Sequence, residues 1–145
     1  MKINRFEDLA IWKESLTITR NIYDLLAKKE FNLEFELKNQ IKRATISISS
    51  NIVEGFEKNN NNEFIRFLKI SKGSTGEVRS QIYISFEIKR ITQNEFDHIN
   101  EALISLTNKI GSLINYLENQ RKQGHFKPVN PLTVSNLEGV IKHGY

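Results

Sequence analysis

Residues 33–91 read LEFELKNQIKRATISISSNIVEGFEKNNNNEFIRFLKISKGSTGEVRSQIYISFEIKRI, and two apolar repeats run through them. In the first half Leu37, Ile41, Ala44, Ile48 and Ile52 recur every three or four residues, the spacing that lines one face of an α-helix. The second half repeats the pattern with Phe64, Phe67, Leu68, Ser71, Val78, Ile82 and Phe86. Between them stand the asparagines at 59–62 and then Glu63, which offer a side-chain oxygen to the free amides that open a helix. The spacing predicts helices over about 33–56 and 61–91. A break this short forces two helices to fold back on each other.

The same periodicity extends outward. Upstream, Leu9, Trp12, Leu16 and Tyr23, with Ile11, Ile18, Ile22 and Leu25, predict a helix over about 7–29 that is apolar over two arcs. Downstream, Phe96, Ile99, Leu103, Leu106, Ile110, Leu113 and Leu117 predict a helix over about 93–120. Thr92 and Glu95 have the spacing of a capping box, with Ile91 and Phe96 placed to flank it. Both prolines lie beyond Gln120, so no helix interior is broken by one. The expectation is an all-α, up-down-up-down antiparallel four-helix bundle over 1–123. Residues 124–145, in which Gly124 can end the fourth helix, read as a tail that is partly disordered or docked.

At 145 residues the chain is one domain, and its lack of cysteine excludes disulfides, thiolate metal sites and a cysteine nucleophile. No apolar run spans a membrane and the N-terminus is no signal peptide, so a cytoplasmic location is expected. The net charge of +4 is concentrated late. Residues 1–120 carry 17 basic against 16 acidic side chains, whereas 121–145 carry Arg121, Lys122, Lys127 and Lys142 against Glu138. A basic balance so placed is weak support for nucleic acid as a partner.

Catalytic constellations are missing from the sequence. Of three histidines, His125 and His143 lie in the tail and His98 stands beside Asp97 as a surface residue. No HExxH or Glu-x-x-His pair supplies zinc or di-iron ligands, and neither Arg90 with His98 nor Arg121 with His125 has the Arg-x4-His spacing of helical ribonucleases. We expect no enzyme, no cofactor and no metal.

Two polar features stand out instead. At 100° per residue Gln40, Arg43, Ser47, Asn51 and Glu54 fall within an arc of about 80° on the second helix. The apolar face borders this stripe on one side, and Ile46 with Val53 on the other. The third helix carries a matching second stripe of Ile70, Ser74, Glu77, Gln81, Ile84 and Ile88. A lone bundle does not need such second apolar faces, so Ile46, Val53, Ile70, Ser74, Ile84 and Ile88 are expected to form a contact between copies. The polar stripe then reads either as a buried network, with Arg43 facing Glu77 or Glu54, or as a recognition site for a phosphate or a partner's backbone. Separately, Lys69, Lys72, Arg79 and Arg90 share an arc of about 80° that includes Tyr83, the best candidate face for nucleic-acid phosphates.

Three ordered motifs carry a resemblance. The opening Phe6-x-Asp8-Leu9-x-Ile11-Trp12 is followed by Gln40-x-x-Arg43-Ala44-x-x-Ser47-Ile48-x-Ser50-Asn51-Ile52-x-Glu54-Gly55. Phe67-Leu68-x-Ile70-Ser71-x-Gly73-Ser74-x-x-Glu77-x-x-x-Gln81 completes the set. Over about 6–120 the chain resembles the bacterial four helix bundle protein family, which includes proteins encoded in intervening sequences of 23S ribosomal RNA genes. The accessory variability determinant of diversity-generating retroelements is a related group. The resemblance implies antiparallel four-helix bundles assembled as homopentameric rings. It also implies a non-catalytic scaffold whose partners are copies of itself and either a structured RNA or another protein, away from membranes. The alternative it raises is an RNA-binding accessory protein acting through the basic face of the third helix.

Overall fold

A computed structural model of the chain describes residues 3–123. It contains four α-helices and, among the described residues, no strand: α1 Ala10–Leu26, α2 Phe35–Glu57, α3 Asn61–Glu87 and α4 Gln93–Lys122. The expected tail, 124–145, lies outside the described residues, as does Gly124. No helix of the described residues is long and apolar enough to cross a membrane.

The first helix is shorter than the periodicity suggests at both ends. Phe6–Asp8 form a separate 3-10 turn, and Leu9 is extended (φ −71°, ψ 122°) before α1 begins. After α1, Lys28 is extended and Lys29–Phe31 make a second 3-10 turn. The reason is burial: Leu9 and Phe31 are both fully inside the core. Turning the chain at each end drives these side chains inward, where fully burying each is worth about 1.5–3 kcal/mol.

The third helix also stops early, at Glu87 rather than near Ile91. Lys89 adopts the left-handed conformation (φ 63°), its N–H donating to the Phe86 carbonyl, while the Arg90 N–H donates to the Ser85 carbonyl at 2.8 Å. These two bonds close the end of a helix in the Schellman pattern. The starts of α3 and α4 follow the sequence. Asn60 Oδ1 accepts from the Glu63 N–H at 3.1 Å. Thr92 Oγ1 accepts from the Glu95 N–H, and Glu95 Oε1 accepts in turn from the Thr92 N–H, completing the capping box.

The core runs the length of the bundle, with Ile22, Ile41, Ile52, Leu68, Ile82, Leu103, Ile110 and Leu117 fully enclosed. The α2–α3 pair makes the most extensive contact. The two helices come close at Gly55, where an added Cβ would stand 2.7 Å from Phe67 Cβ. From there toward the other end of the pair, Ser71 Oγ donates to the Ile48 carbonyl and the hydroxyls of Ser47 and Ser74 lie 2.8 Å apart. Polar contacts also join α3 to α4 through Thr75 and Thr107 at 2.7 Å and Arg79 to Asn100 at 3.0 Å. Glu14–Lys109 at 2.9 Å and Lys28–Glu95 at 2.6 Å tie α1 to α4.

Candidate functional site on the second and third helices

The α2–α3 pair presents an outer face made of the two stripes singled out from the sequence. Only its innermost row is closed. Ser47 and Ser74 share a hydrogen bond, and the Asn51 amide donates to both the carbonyl and the hydroxyl of Ser47 (2.8 and 3.0 Å). Gln81, seven residues further along α3 than Ser74, is buried, and its Oε1 has no hydrogen-bond partner among the described residues.

The buried ionic network expected around Arg43 is not formed among the described residues. Gln40, Arg43, Glu54 and Glu77 are exposed, and no ion pair among the described residues joins Arg43 to Glu54 or to Glu77. The close approach at Gly55 and the Ser47–Ser74 contact explain this: the seam is only one row of small side chains wide. Longer side chains are left on its rim, in water.

The apolar second faces stand where the periodicity put them. Ile46 is 47% exposed, Ile70 42%, Ile84 47% and Ile88 38%, while Val53 is half-buried and Ser74 is taken into the seam. The exposed apolar surface continues onto α1 with Leu16 and Tyr23, and Lys42 lies 5.2 Å over the Tyr23 ring. Leu16 and Tyr23 belong to one of the two apolar arcs that the sequence gives the first helix. Leu33 and Phe35, at the start of α2, are also strongly exposed. Among the described residues nothing lies within 4 Å of a Cβ added at Gly73 or Gly76 on α3, so no described packing calls for their small size.

The basic face of α3 is arranged differently from its helical projection. Lys69 pairs with Glu118 at 2.9 Å. Arg79 donates to Asn100, and Arg90 pairs with Glu34 at 2.8 Å while donating to the Ile88 carbonyl. Tyr83 packs edge-on against Phe96, ring centroids 4.7 Å apart. Lys72 alone of the four cations has no ion pair or hydrogen bond among the described residues, and its chain lies over Gly111. The groove there, about 510 Å³, is lined by Lys69, Lys72, Gly73, Gly111, Ile114, Asn115 and Glu118. The hydrogen bond from Lys69 is the main reason that the Glu118 carboxyl is held below its ordinary pKa.

A second hollow of about 270 Å³ lies between α1 and α4, bordered by Asn21, Asp24, Lys28, Glu95 and His98. Burial there raises the pKa of Glu95. The bond from Lys28 and the cap bonds to Thr92 outweigh it, leaving the pKa below the ordinary value. Glu95 is thus committed to structure. Among the described residues no group of three or more histidine or acidic side chains is placed to hold a metal ion.

Comparison with known proteins relates the chain to a family and to a solved fold. A family model described as "23S rRNA-intervening sequence protein" matches residues 7–112. The fold is also similar to that of a protein with unknown function from the S23 ribosomal protein family of Bacteroides thetaiotaomicron VPI-5482. That similarity has a TM-score of 0.67 at 24% sequence identity, covering 72% of this chain and 98% of the other. None of the curated proteins matches.

Proposed function

Because the chain belongs to the 23S rRNA-intervening sequence protein family, we propose that it works as a non-catalytic scaffold. In this reading antiparallel four-helix bundles join through the outer surface of α2 and α3 into a homo-oligomer, a ring of five. The antiparallel arrangement is supported by the contact order: as position rises from Ser47 through Ile48 to Gly55, the partner position falls from Ser74 through Ser71 to Phe67 and Phe64. Pairs between α3 and α4 run the same way, from Lys69 with Glu118 to Arg79 with Asn100.

Self-association rests on one observation above all. Among the described residues, four isoleucines on α2, on α3 and at its end are between 38% and 47% exposed. Exposed apolar surface on this scale marks contact sites on soluble proteins. The glycines of α3 add to it: each costs about 1 kcal/mol of helix propensity relative to alanine. A second helix packed closely against Gly73 and Gly76 would account for that cost. The cations of α3 are mostly spent on partners inside the bundle, so the scaffold reading does not depend on a phosphate-bearing ligand.

Light scattering of the purified full chain tests the proposal. A mass several times 16.9 kDa at micromolar concentration supports it, and a lone 16.9 kDa species overturns it.

A further inference from the structure

On the same face Arg43 and Glu77 carry opposite charges and have no ion pair among the described residues. We infer that Arg43 of one copy forms an ion pair with Glu77 of the next, and that this pair sets the register in which the isoleucines meet. The inference rests on the self-association proposed above and adds its polar determinant.

The geometry starts from the Ser47–Ser74 contact, which fixes the level of α2 against α3. Arg43 lies about one turn before Ser47, and Glu77 about one turn after Ser74. Since contacts run in opposite order along the two helices, both charges stand at one level on the exposed rim. Neither side chain makes an ion pair or hydrogen bond among the described residues.

Several charges on the two helices are already committed, while Glu54 on α2 and Lys72 on α3 have no ion pair among the described residues. On α2, Lys38 lies over Phe35 and Lys42 over Tyr23, leaving Arg43 as the cation of that helix with no described partner. On α3, Glu63 is held by Arg66. Glu77 sits midway between Ile70 and Ile84, seven residues from each, and both isoleucines are exposed. A copy that covers Ile70 and Ile84 must therefore strip water from Glu77. An unpaired carboxylate under an apolar contact opposes that contact, so the incoming surface has to bring a cation. The α2 surface fits, since it carries Arg43 three residues from Ile46 and ten from Val53. Its planar fork of donors suits a carboxylate better than an ammonium does. The Ile46 and Val53 side then meets the Ile70 and Ile84 side, with the charges between them.

A charge-swap cycle on the full chain tests this by sedimentation velocity across a dilution series. Arg43→Glu alone and Glu77→Arg alone should each raise the dissociation constant of the assembly about 10- to 100-fold. The double variant should return to within about threefold of the wild type, because the pair is restored with its ends exchanged. Should either reversal disturb folding by circular dichroism, Arg43→Gln and Glu77→Gln test the coupling without a like-charge clash, and their double variant should then be no weaker than either single one. A wild type that assembles while both single variants assemble equally well overturns the pairing and leaves self-association standing. A double variant as weak as the two single effects combined overturns it as well. A wild type that stays monomeric overturns self-association, and the pairing with it.

Discussion

Replacing Gly55 by alanine tests how closely α2 and α3 pack. The new Cβ would lie 2.7 Å from Phe67 Cβ, 3.2 Å from Phe64 Cδ1 and 3.4 Å from Phe64 Cα. Carbon atoms pack best at about 3.5–4.0 Å, so the first contact is deeply repulsive. A flexible side-chain tip could swing aside, but Phe67 Cβ and Phe64 Cα are fixed to the α3 backbone. Relief requires α2 and α3 to separate along a buried seam, and overpacking of this kind costs about 1–3 kcal/mol. The upper end applies where backbone must move. Alanine also recovers about 1 kcal/mol of helix propensity. The net expectation is a loss of about 1–2 kcal/mol, or roughly 3–10 °C in melting temperature for a domain of this size.

Urea unfolding by circular dichroism, at one protein concentration throughout, gives the value free of any change in mass-action stabilisation. Gly76→Ala is the internal control, both glycine variants being made in the Ile70→Asp, Ile84→Asp background so that no second copy packs against α3. Nothing lies within 4 Å of its added Cβ, so the propensity gain of about 1 kcal/mol should appear uncancelled. If Gly55→Ala proves as stable as that background, or gains as Gly76→Ala does, the two helices are not packed as closely as described.

Three further outcomes follow from other parts of the fold. Lys89→Gly should stabilise the chain by about 1 kcal/mol in the same assay, since glycine takes the left-handed conformation without the cost a side chain incurs. Glu95 has a folded pKa below its ordinary value of 4.5. Its stabilising effect is therefore complete above that value and is lost as pH falls through the folded pKa. Glu95→Gln should lower stability at neutral pH and flatten the fall on acidification, as read from melting temperature against pH. Ile84→Asp should weaken assembly in sedimentation while moving the stability of the isolated chain by no more than about 0.5 kcal/mol, because the residue is exposed there.

Much of the architecture can be read from residue types. Apolar spacing locates all four helices, and Asn60 and Thr92 announce the starts of α3 and α4 because a side-chain oxygen must meet the free amides. The ends are less legible. Lys89 gives no hint that it will turn left-handed, since backbone bonds from Lys89 and Arg90 hold that turn and glycine is absent from it. Leu9 and Phe31 look like helix or linker until the core they fill is known.

The candidate face shows the same division. Periodicity places Ile46, Ile70, Ile84 and Ile88 around their helices, and their exposure follows from that placement. It does not tell how near a neighbouring helix comes, which is why Arg43 and Glu77 stand on a rim and only Ser47, Asn51 and Ser74 close together. For the same reason a projection of α3 alone makes Lys69, Arg79 and Arg90 a shared basic face. Their carboxylate and amide partners belong to other segments of the chain: Glu118, Asn100 and Glu34.

The most direct measurement is sedimentation velocity of the intact chain over about 1–100 µM, compared with a variant carrying Ile70→Asp and Ile84→Asp together. If the outer face of α2 and α3 joins copies, the wild type sediments as a species several times heavier than 16.9 kDa and the variant as a folded chain of that mass. A wild type at 16.9 kDa throughout the range, or a variant that assembles as well as the wild type, contradicts the role given to that face.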